Sequence, residues 1–309
     1  MNISILYGGV SSEHKVSIKT GLAIAEAIKD RYSLDMVNLD SNVYNNPQLL
    51  LGSDLVFNAL HGGDGEDGSV QAFLDLHCIS YTGSGSKACK IAMDKNITKL
   101  IARSLGVKTP NWIVLKKNRQ TGIKLEDNES LKFSYPYIVK PSSEGSTFGL
   151  SVVENESMLE DAISLAAEYS NEILIEEFIP GRELTVGILG NKSLPVVEIK
   201  PSHELYDYHC KYTEGMSEYY VPAEISNSVE RSISSDAIRL YNAIGCRHYA
   251  RADFRLNEAG EHYLLEVNTL PGMTTTSLLP KAAAVAGLKF PELIDTIIKL
   301  AIMDRNEIL

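Results

Sequence analysis

The 309-residue chain contains no run approaching ~18 consecutive apolar residues, which argues against a helical membrane span. Its four cysteines, Cys78, Cys89, Cys210 and Cys246, are scattered, with no CxxC pair and no zinc-like spacing. Reduced thiols are therefore expected rather than a disulfide scaffold. Positive charge is in deficit, with 29 Lys plus Arg against 40 Asp plus Glu and a formal net charge of −11. That field disfavours nucleic acid and acidic membrane surfaces, so any bound phosphate has to be held by local groups. Internal repeats and low-complexity tracts are missing too, and the opening MNISILYGG lacks a basic start followed by a long apolar segment. With 44% hydrophobic and 22% charged residues, the expectation is a cytoplasmic globular protein long enough for two or three domains.

Hydrophobic patterning suggests how the chain is divided. A strand in ISILYGG, a helix in VSIKTGLAIAEAIKDR, strands in LDMVNL and DLVFNAL and a helix in SVQAFLDLHC alternate as in a mostly parallel α/β sheet covered on both faces. The texture changes near Asp94, where the helix DKNITKLIARSLG precedes mixed strand signals. Further on, EILIEEFI, ELTVGIL and LPVVEI read as successive strands. A long polar loop, a helix, two strands and two terminal helices follow, as in an α+β unit. The boundaries drawn on this basis are 1–93, 94–176 and 177–309.

Three glycine-rich stretches follow strand-like segments. GGVSSEH, residues 8–14, either receives an anion on its backbone amides, orienting Glu13 toward a ligand, or is a turn that needs glycine. It carries neither a dinucleotide fingerprint nor a Walker loop. HGGDGEDG, residues 61–68, holds His61 at a strand end, where ligands of such sheets bind, or is simply a flexible loop. IVKPSSEGSTFG, residues 138–149, is more informative: either Lys140 supplies a point charge and the hydroxyl- and glycine-rich loop beyond it suits a phosphate chain, or the segment is a solvated hairpin with an exposed lysine. In ILIEEFIPGRE, Glu176 and the strand-end backbone could meet a purine edge and Glu183 a ribose, unless this is a plain turn with surface acids.

LLEVNTLPGMTT, residues 264–275, places Glu266 and Asn268 on one strand face, and ARADFRL, residues 250–256, does the same with Arg251 and Asp253. Such a set is either an Arg-Asp-Glu salt-bridge cluster or an all-oxygen site suited to magnesium, with Arg251 stabilising developing negative charge.

Nine segments in register carry a resemblance: GGVSSEHKVS, HGGDGEDG, MDKNITK, IVKPSSEGSTFG, LIEEF, GRELTVGILG, YDYHCKY, ARADF and LLEVNTLPGMTTTSLLP. Over nearly all of residues 3–290 the chain resembles the ATP-grasp ligases, and within them the D-alanine-D-alanine ligase family. The resemblance implies a three-domain α/β architecture with an α+β C-terminal part, and ATP between the central and C-terminal domains. It also implies the reaction, in which ATP phosphorylates one D-alanine carboxylate and the amine of a second D-alanine displaces phosphate to give the dipeptide of peptidoglycan precursors. ATP contacts are implied for Lys95, Lys140, Glu144, Ser146, Thr147, Glu176, Glu177, Phe178, Ile179, Glu183, Lys211 and Asn268. Two Mg²⁺ ions, with Mn²⁺ an acceptable substitute, are implied on Asp253, Glu266 and Asn268.

Glu13 would meet the first D-alanine ammonium, His61 would lie near its carboxylate, and Arg251 with the Gly272 N-H would form the oxyanion site. Ser277 and Leu278, at a helix start, would receive the second carboxylate. The long loop at residues 202–224, with Lys211 and Tyr212, is read as the lid, and Tyr212 favours an amine as second substrate. Glu13, Ser146 and Tyr212 would form a hydrogen-bonded trio when it closes. A homodimer is expected from the resemblance. The alternatives are another ATP-grasp carboxylate-amine ligase, a D-alanine-D-lactate ligase, or a nucleotide-binding regulator without catalysis.

Overall fold

The computed structural model describes residues 1–39, 44, 47–117, 133–145, 147–201 and 216–308, with side chains as far as residue 304. The first sheet is parallel, with β1 (Asn2–Gly8) between β2 (Ser33–Leu39) and β3 (Leu55–Asn58). Parallel strands need crossovers, and α1 (His14–Ile28) supplies the first. Ile3, Ile5 and Phe57 are fully buried, as expected for parallel strands covered on both faces. Between β2 and β3 lies a single helical turn, α2 (Gln48–Leu51), where only strands had been read. After α3 (Ser69–Leu76) comes α4 (Ser86–Met93), a second helix that the patterning did not suggest. It runs directly into α5 (Lys95–Ser104), and Asp94 caps the junction by accepting the Ile97 N-H at 3.1 Å.

The second sheet is antiparallel, in the order β4 (Trp112–Lys116), β7 (Glu172–Glu177), β5 (Tyr137–Pro141), β6 (Ser151–Val153), with α6 (Leu159–Ala166) packed on it. The third sheet runs β11 (Ser217–Tyr220), β10 (Val197–Pro201), β8 (Arg182–Leu189), β12 (Tyr249–Leu256), β13 (His262–Asn268), with β9 (Lys192–Ser193) also on β8. Within the segment read as a lid, Ser217–Tyr220 is thus an edge strand, with Tyr219 opposite Ile199. Beneath this sheet lies α7 (Asn227–Ile244), capped by Ser226 and ended by Gly245 at φ +83°, a conformation that glycine adopts without steric cost. The last two helices are α8 (Leu278–Val285) and α9 (Phe290–Ile308).

Packing ties the three sheets together. Ala88, Ala92 and Ala102 of α4 and α5 are buried in the core of the third sheet, with Val186, Ala252 and Leu264. On α9, Leu293, Ile294, Ile297 and Ile298 are fully buried in one cluster with Ile3, Ile5 and Phe57 of the first sheet. Each such aliphatic side chain contributes about 1.5–3 kcal/mol relative to exposure. The C-terminal helix therefore closes the N-terminal sheet. No helix among the described residues is long and apolar enough to cross a membrane.

Candidate active site

Strand alternation builds the site wall. On β12, Ala250, Ala252 and Phe254 face the core, which turns Arg251, Asp253 and Arg255 to the opposite face. Antiparallel pairing sets Thr185 of β8 and Glu266 of β13 on either side of Asp253, and Gly187 and Asn268 on either side of Arg251. Arg251 donates through Nε to Asp253 Oδ1 at 2.8 Å and through Nη2 to Oδ2 at 2.7 Å, while Thr185 Oγ1 donates to Oδ1 at 2.5 Å. Glu266 lies 3.3 Å from Lys95 Nζ, and Asn268 Oδ1 accepts the Leu270 N-H at 2.8 Å.

Two cavities meet on this wall. The larger, about 340 Å³, is lined by Glu13, His61, Arg251, Gly272, Ser277 and Leu278, which are all the residues assigned above to the amino-acid substrates, and also by Asn268. The smaller, about 120 Å³, brings together Lys95, Lys140, Glu144, Thr147, Glu183 and the run Glu176–Ile179. Asp253 lines this second cavity, so Asn268 is the one described nucleotide candidate outside it. Lys95, Glu144, Arg251 and Glu266 line both. Ser146, Lys211 and Tyr212 lie outside the described residues, so the trio with Glu13 has no geometry to report.

In the larger cavity Glu13 and His61 are buried at the carboxyl ends of β1 and β3. A Cβ added to Gly62 would stand 2.9 Å from Glu13 Oε2, and one on Gly145 3.5 Å away, so the central loop reaches the N-terminal carboxylate. His61 is held by Thr20 Oγ1 at 2.9 Å and stands 3.6 Å from buried Glu66. Ser277 begins α8, and its Oγ accepts the Thr274 N-H at 3.1 Å. The helix start faces the cavity, as a carboxylate would require.

In the smaller cavity the register of β4, β7 and β5 places Trp112, Glu176 and Ile138 in one row, with Lys140 diagonal to Glu176. Lys140 Nζ donates to Glu176 Oε1 at 3.0 Å. Burial opposes ionisation of Glu176, but Lys140 and Lys99 outweigh it and hold the carboxyl below its ordinary range. Burial raises the Glu144 carboxyl, while its backbone oxygen accepts from Lys95 Nζ at 2.6 Å. Glu177 turns its carboxylate to Asn111 Nδ2 at 2.8 Å. Arg255 donates to the Ile179 carbonyl at 3.1 Å and lies 3.6 Å from Glu183.

Sequence reading passed over Glu66, Lys99, Thr185 and Arg255. Arg255 was open to discovery, since it continues the alternation of Arg251 and Asp253. Glu66 was one of three acids in its loop, and nothing local singles it out. Lys99 and Thr185 acquire partners only through folding.

Asp253, Glu266 and Asn268 form an all-oxygen set at the junction of the cavities, chemistry that suits a hard divalent cation. The set contains two carboxylates and an amide, and no group of three or more His, Cys, Asp or Glu side chains suited to a metal occurs among the described residues.

Two family profiles match, described as "D-ala D-ala ligase N-terminus" over residues 40–84 and "D-ala D-ala ligase C-terminus" over residues 101–299. A D-alanine-D-alanine ligase of Halalkalibacterium halodurans is 44% identical over 310 residues, covering 98% of this chain and 99% of its own. Among solved structures, the D-alanine-D-alanine ligase of Bacillus anthracis complexed with ATP superposes with a TM-score of 0.88 at 35% identity, over 99% of both chains. A D-Ala:D-Ser ligase of Enterococcus faecalis superposes at 0.83 with 29% identity, over 97% of this chain and 99% of its own. With profile matches that together cover most of the chain and full-length relatives of this identity, the chain belongs to the D-alanine-D-alanine ligase family.

Proposed function

We propose that the smaller cavity receives ATP, that the larger receives two D-alanines, and that phosphoryl transfer occurs where they meet. The chain is an ATP-dependent D-alanine-D-alanine ligase serving cell-wall precursor synthesis. The observation that carries the division of labour is the shared lining of Lys95, Glu144, Arg251 and Glu266. Two cations and two acids at one junction suit a reaction that moves negative charge from a triphosphate to a carboxylate.

In this reading Lys140 and Lys95 neutralise the phosphates, and Glu183 and the run Glu176–Ile179 hold the nucleoside. Glu13 pairs with the ammonium of the first D-alanine, with His61 beside it, and directs the carboxylate toward the junction. Attack of that carboxylate on the γ-phosphorus releases ADP and gives an acyl phosphate. The second D-alanine, its carboxylate at Ser277 and Leu278, attacks through its amine. Arg251 and the Gly272 N-H stabilise the tetrahedral oxyanion, which collapses with loss of phosphate. Asp253, Glu266 and Asn268 would hold Mg²⁺, which when bound supplies charge neutralisation to the phosphates. Holding reactants in near-attack geometry supplies much of the acceleration.

Ser146, Lys211 and Tyr212 complete the site in this proposal, as do a three-domain division at 1–93, 94–176 and 177–309, a cytoplasmic location and a homodimer. The test is ADP release with D-alanine alone, with L-alanine, and with D-alanine plus D-lactate or D-serine. D-Alanine-dependent ADP with dipeptide product is expected; no such ADP formation overturns the reading.

A further inference from the structure

Lys99 lines neither cavity, yet its ammonium is fully buried. Nζ lies 2.8 Å from Glu176 Oε2 and donates to Thr109 Oγ1 at 2.8 Å, and Thr109 in turn donates to the Leu264 carbonyl at 2.8 Å. Glu176 gives its other oxygen to Lys140 at 3.0 Å. A continuous polar chain therefore runs from the wall of the nucleotide cavity, through β7 and α5, to β13 two residues before Glu266.

A carboxylate held by one flexible lysine moves with it. Two ammonium groups, one on each oxygen, fix both the plane of the Glu176 carboxylate and the approach of Lys140. Trp112 lies against the same group, its ring 5.0 Å from Lys99 Nζ and 4.0 Å from the Arg103 guanidinium, which leaves the ammonium little room to shift. Buried ion pairs give little net stability relative to apolar packing, so fold stability alone supplies no reason for a charge here. The surroundings bear this out, because burial pushes the Lys99 ammonium down to about 8 against the opposing pull of Glu176.

We infer that Lys99 is a positioning residue of the nucleotide site: it fastens Glu176 so that Lys140 and the carboxylate face the nucleotide at a fixed separation. The inference rests on the reading of the smaller cavity as the ATP site, and it assigns Lys99 no contact with substrate. Its effect is expected on one substrate, since Lys140 and Glu176 line the nucleotide cavity and not the D-alanine cavity.

Steady-state kinetics of the full chain test it. Lys99→Met keeps the unbranched side chain to within one atom of its length and removes its charge. It is expected to raise the KM for ATP about tenfold, through loss of the ion pair that fastens Glu176 Oε2, and to leave the KM for D-alanine within about twofold. Thr109→Val removes only the hydroxyl that fastens Lys99 to β13 and is expected to raise the ATP KM about threefold. Wild-type turnover in the same assay separates the two readings. A wild type without D-alanine-dependent ADP release overturns the ligase reading. An active wild type beside a folded Lys99→Met with unchanged ATP KM, or with both KM values raised alike, overturns the role of Lys99. Should Lys99→Met fail to fold by circular dichroism, Thr109→Val decides, and an unchanged ATP KM in that variant overturns the inference.

Discussion

Arg251 and Asp253 stand two residues apart on one face of β12 and are joined fork to fork, with both carboxylate oxygens accepting from the guanidinium at 2.8 and 2.7 Å. Thr185 adds a third donor at 2.5 Å. Both Asp253 oxygens thus accept hydrogen bonds, and of the Arg-Asp-Glu cluster weighed as one reading of this strand pair the Arg251–Asp253 bridge is present. The two readings are compatible if Arg251 exchanges Asp253 for the reacting carboxylate, which would leave Asp253 to hold a cation.

Asp253→Asn tests that exchange. It keeps the volume of the side chain and removes the charge that a hard cation needs. The Mg²⁺ concentration for half-maximal ADP release is expected to rise at least about tenfold. An unchanged Mg²⁺ titration would place the cation elsewhere.

Glu266→Gln separates metal binding from folding. Glu266 lines both cavities, and its ion pair with Lys95 is long at 3.3 Å. Glu266 keeps 28% of its side chain exposed, and losing this long pair is expected to cost about 1 kcal/mol of stability. Turnover is expected to fall about hundredfold, as for loss of one group that stabilises transition-state charge. Melting within a few degrees of wild type should accompany that loss. A parallel collapse of melting temperature and activity would return Glu266 to a structural role.

Gly62→Ala probes the first substrate site without replacing Glu13. Gly62 has φ +66°, which costs an L-residue about 1–2 kcal/mol, and the new methyl would sit 2.9 Å from Glu13 Oε2. The carboxylate must move, so the D-alanine KM should rise while the ATP KM holds. Equal effects on both substrates would show a general disturbance of the loop instead.

His248 governs a pH limb of stability. Gly83 N-H donates to its Nδ1 at 3.0 Å and its Nε2 stands 3.0 Å from Asp304, joining the segment after β3 to α9. Burial, then Arg247, push the imidazolium down to about 4, against the pull of Asp304. Between about 4 and the ordinary value of 6.5 the unfolded chain binds a proton that the folded chain does not, so stability falls as pH drops through this window. The loss from this one residue is at most about 3 kcal/mol. Denaturant titrations at pH 7 and pH 5 should show it in wild type, and His248→Gln should flatten the difference.

Tyr212→Phe addresses the second substrate. The amine preference read from YDYHCKY predicts more D-lactate use relative to D-alanine in the variant. An unchanged product ratio in a mixed-substrate assay sinks that reading.

Local chemistry made much of this protein legible. Alternation on β12 and β13 announced Arg251 with Asp253 and Glu266 with Asn268 on shared strand faces, because side-chain direction on a strand follows from sequence position alone. Glycines at positive φ marked the loops beside Glu13 and His61, since few other residues adopt that conformation. The helix α4 escaped notice because its sequence, SKACKIAM, has only short apolar steps, and its buried face becomes apolar company only against α7 and the third sheet.

By itself, then, the sequence determined most of the strands, the faces of those bearing the site and the order of the motifs, all of which depend on spacing along the chain. Tertiary structure alone decided that the C-terminal helix closes the N-terminal sheet, that Gly145 meets Glu13, and that Lys99 finds Glu176. Those pairings lie far apart in sequence. They arise because burying apolar faces brings their carriers together, and a buried charge then has to find its partner wherever packing has put one.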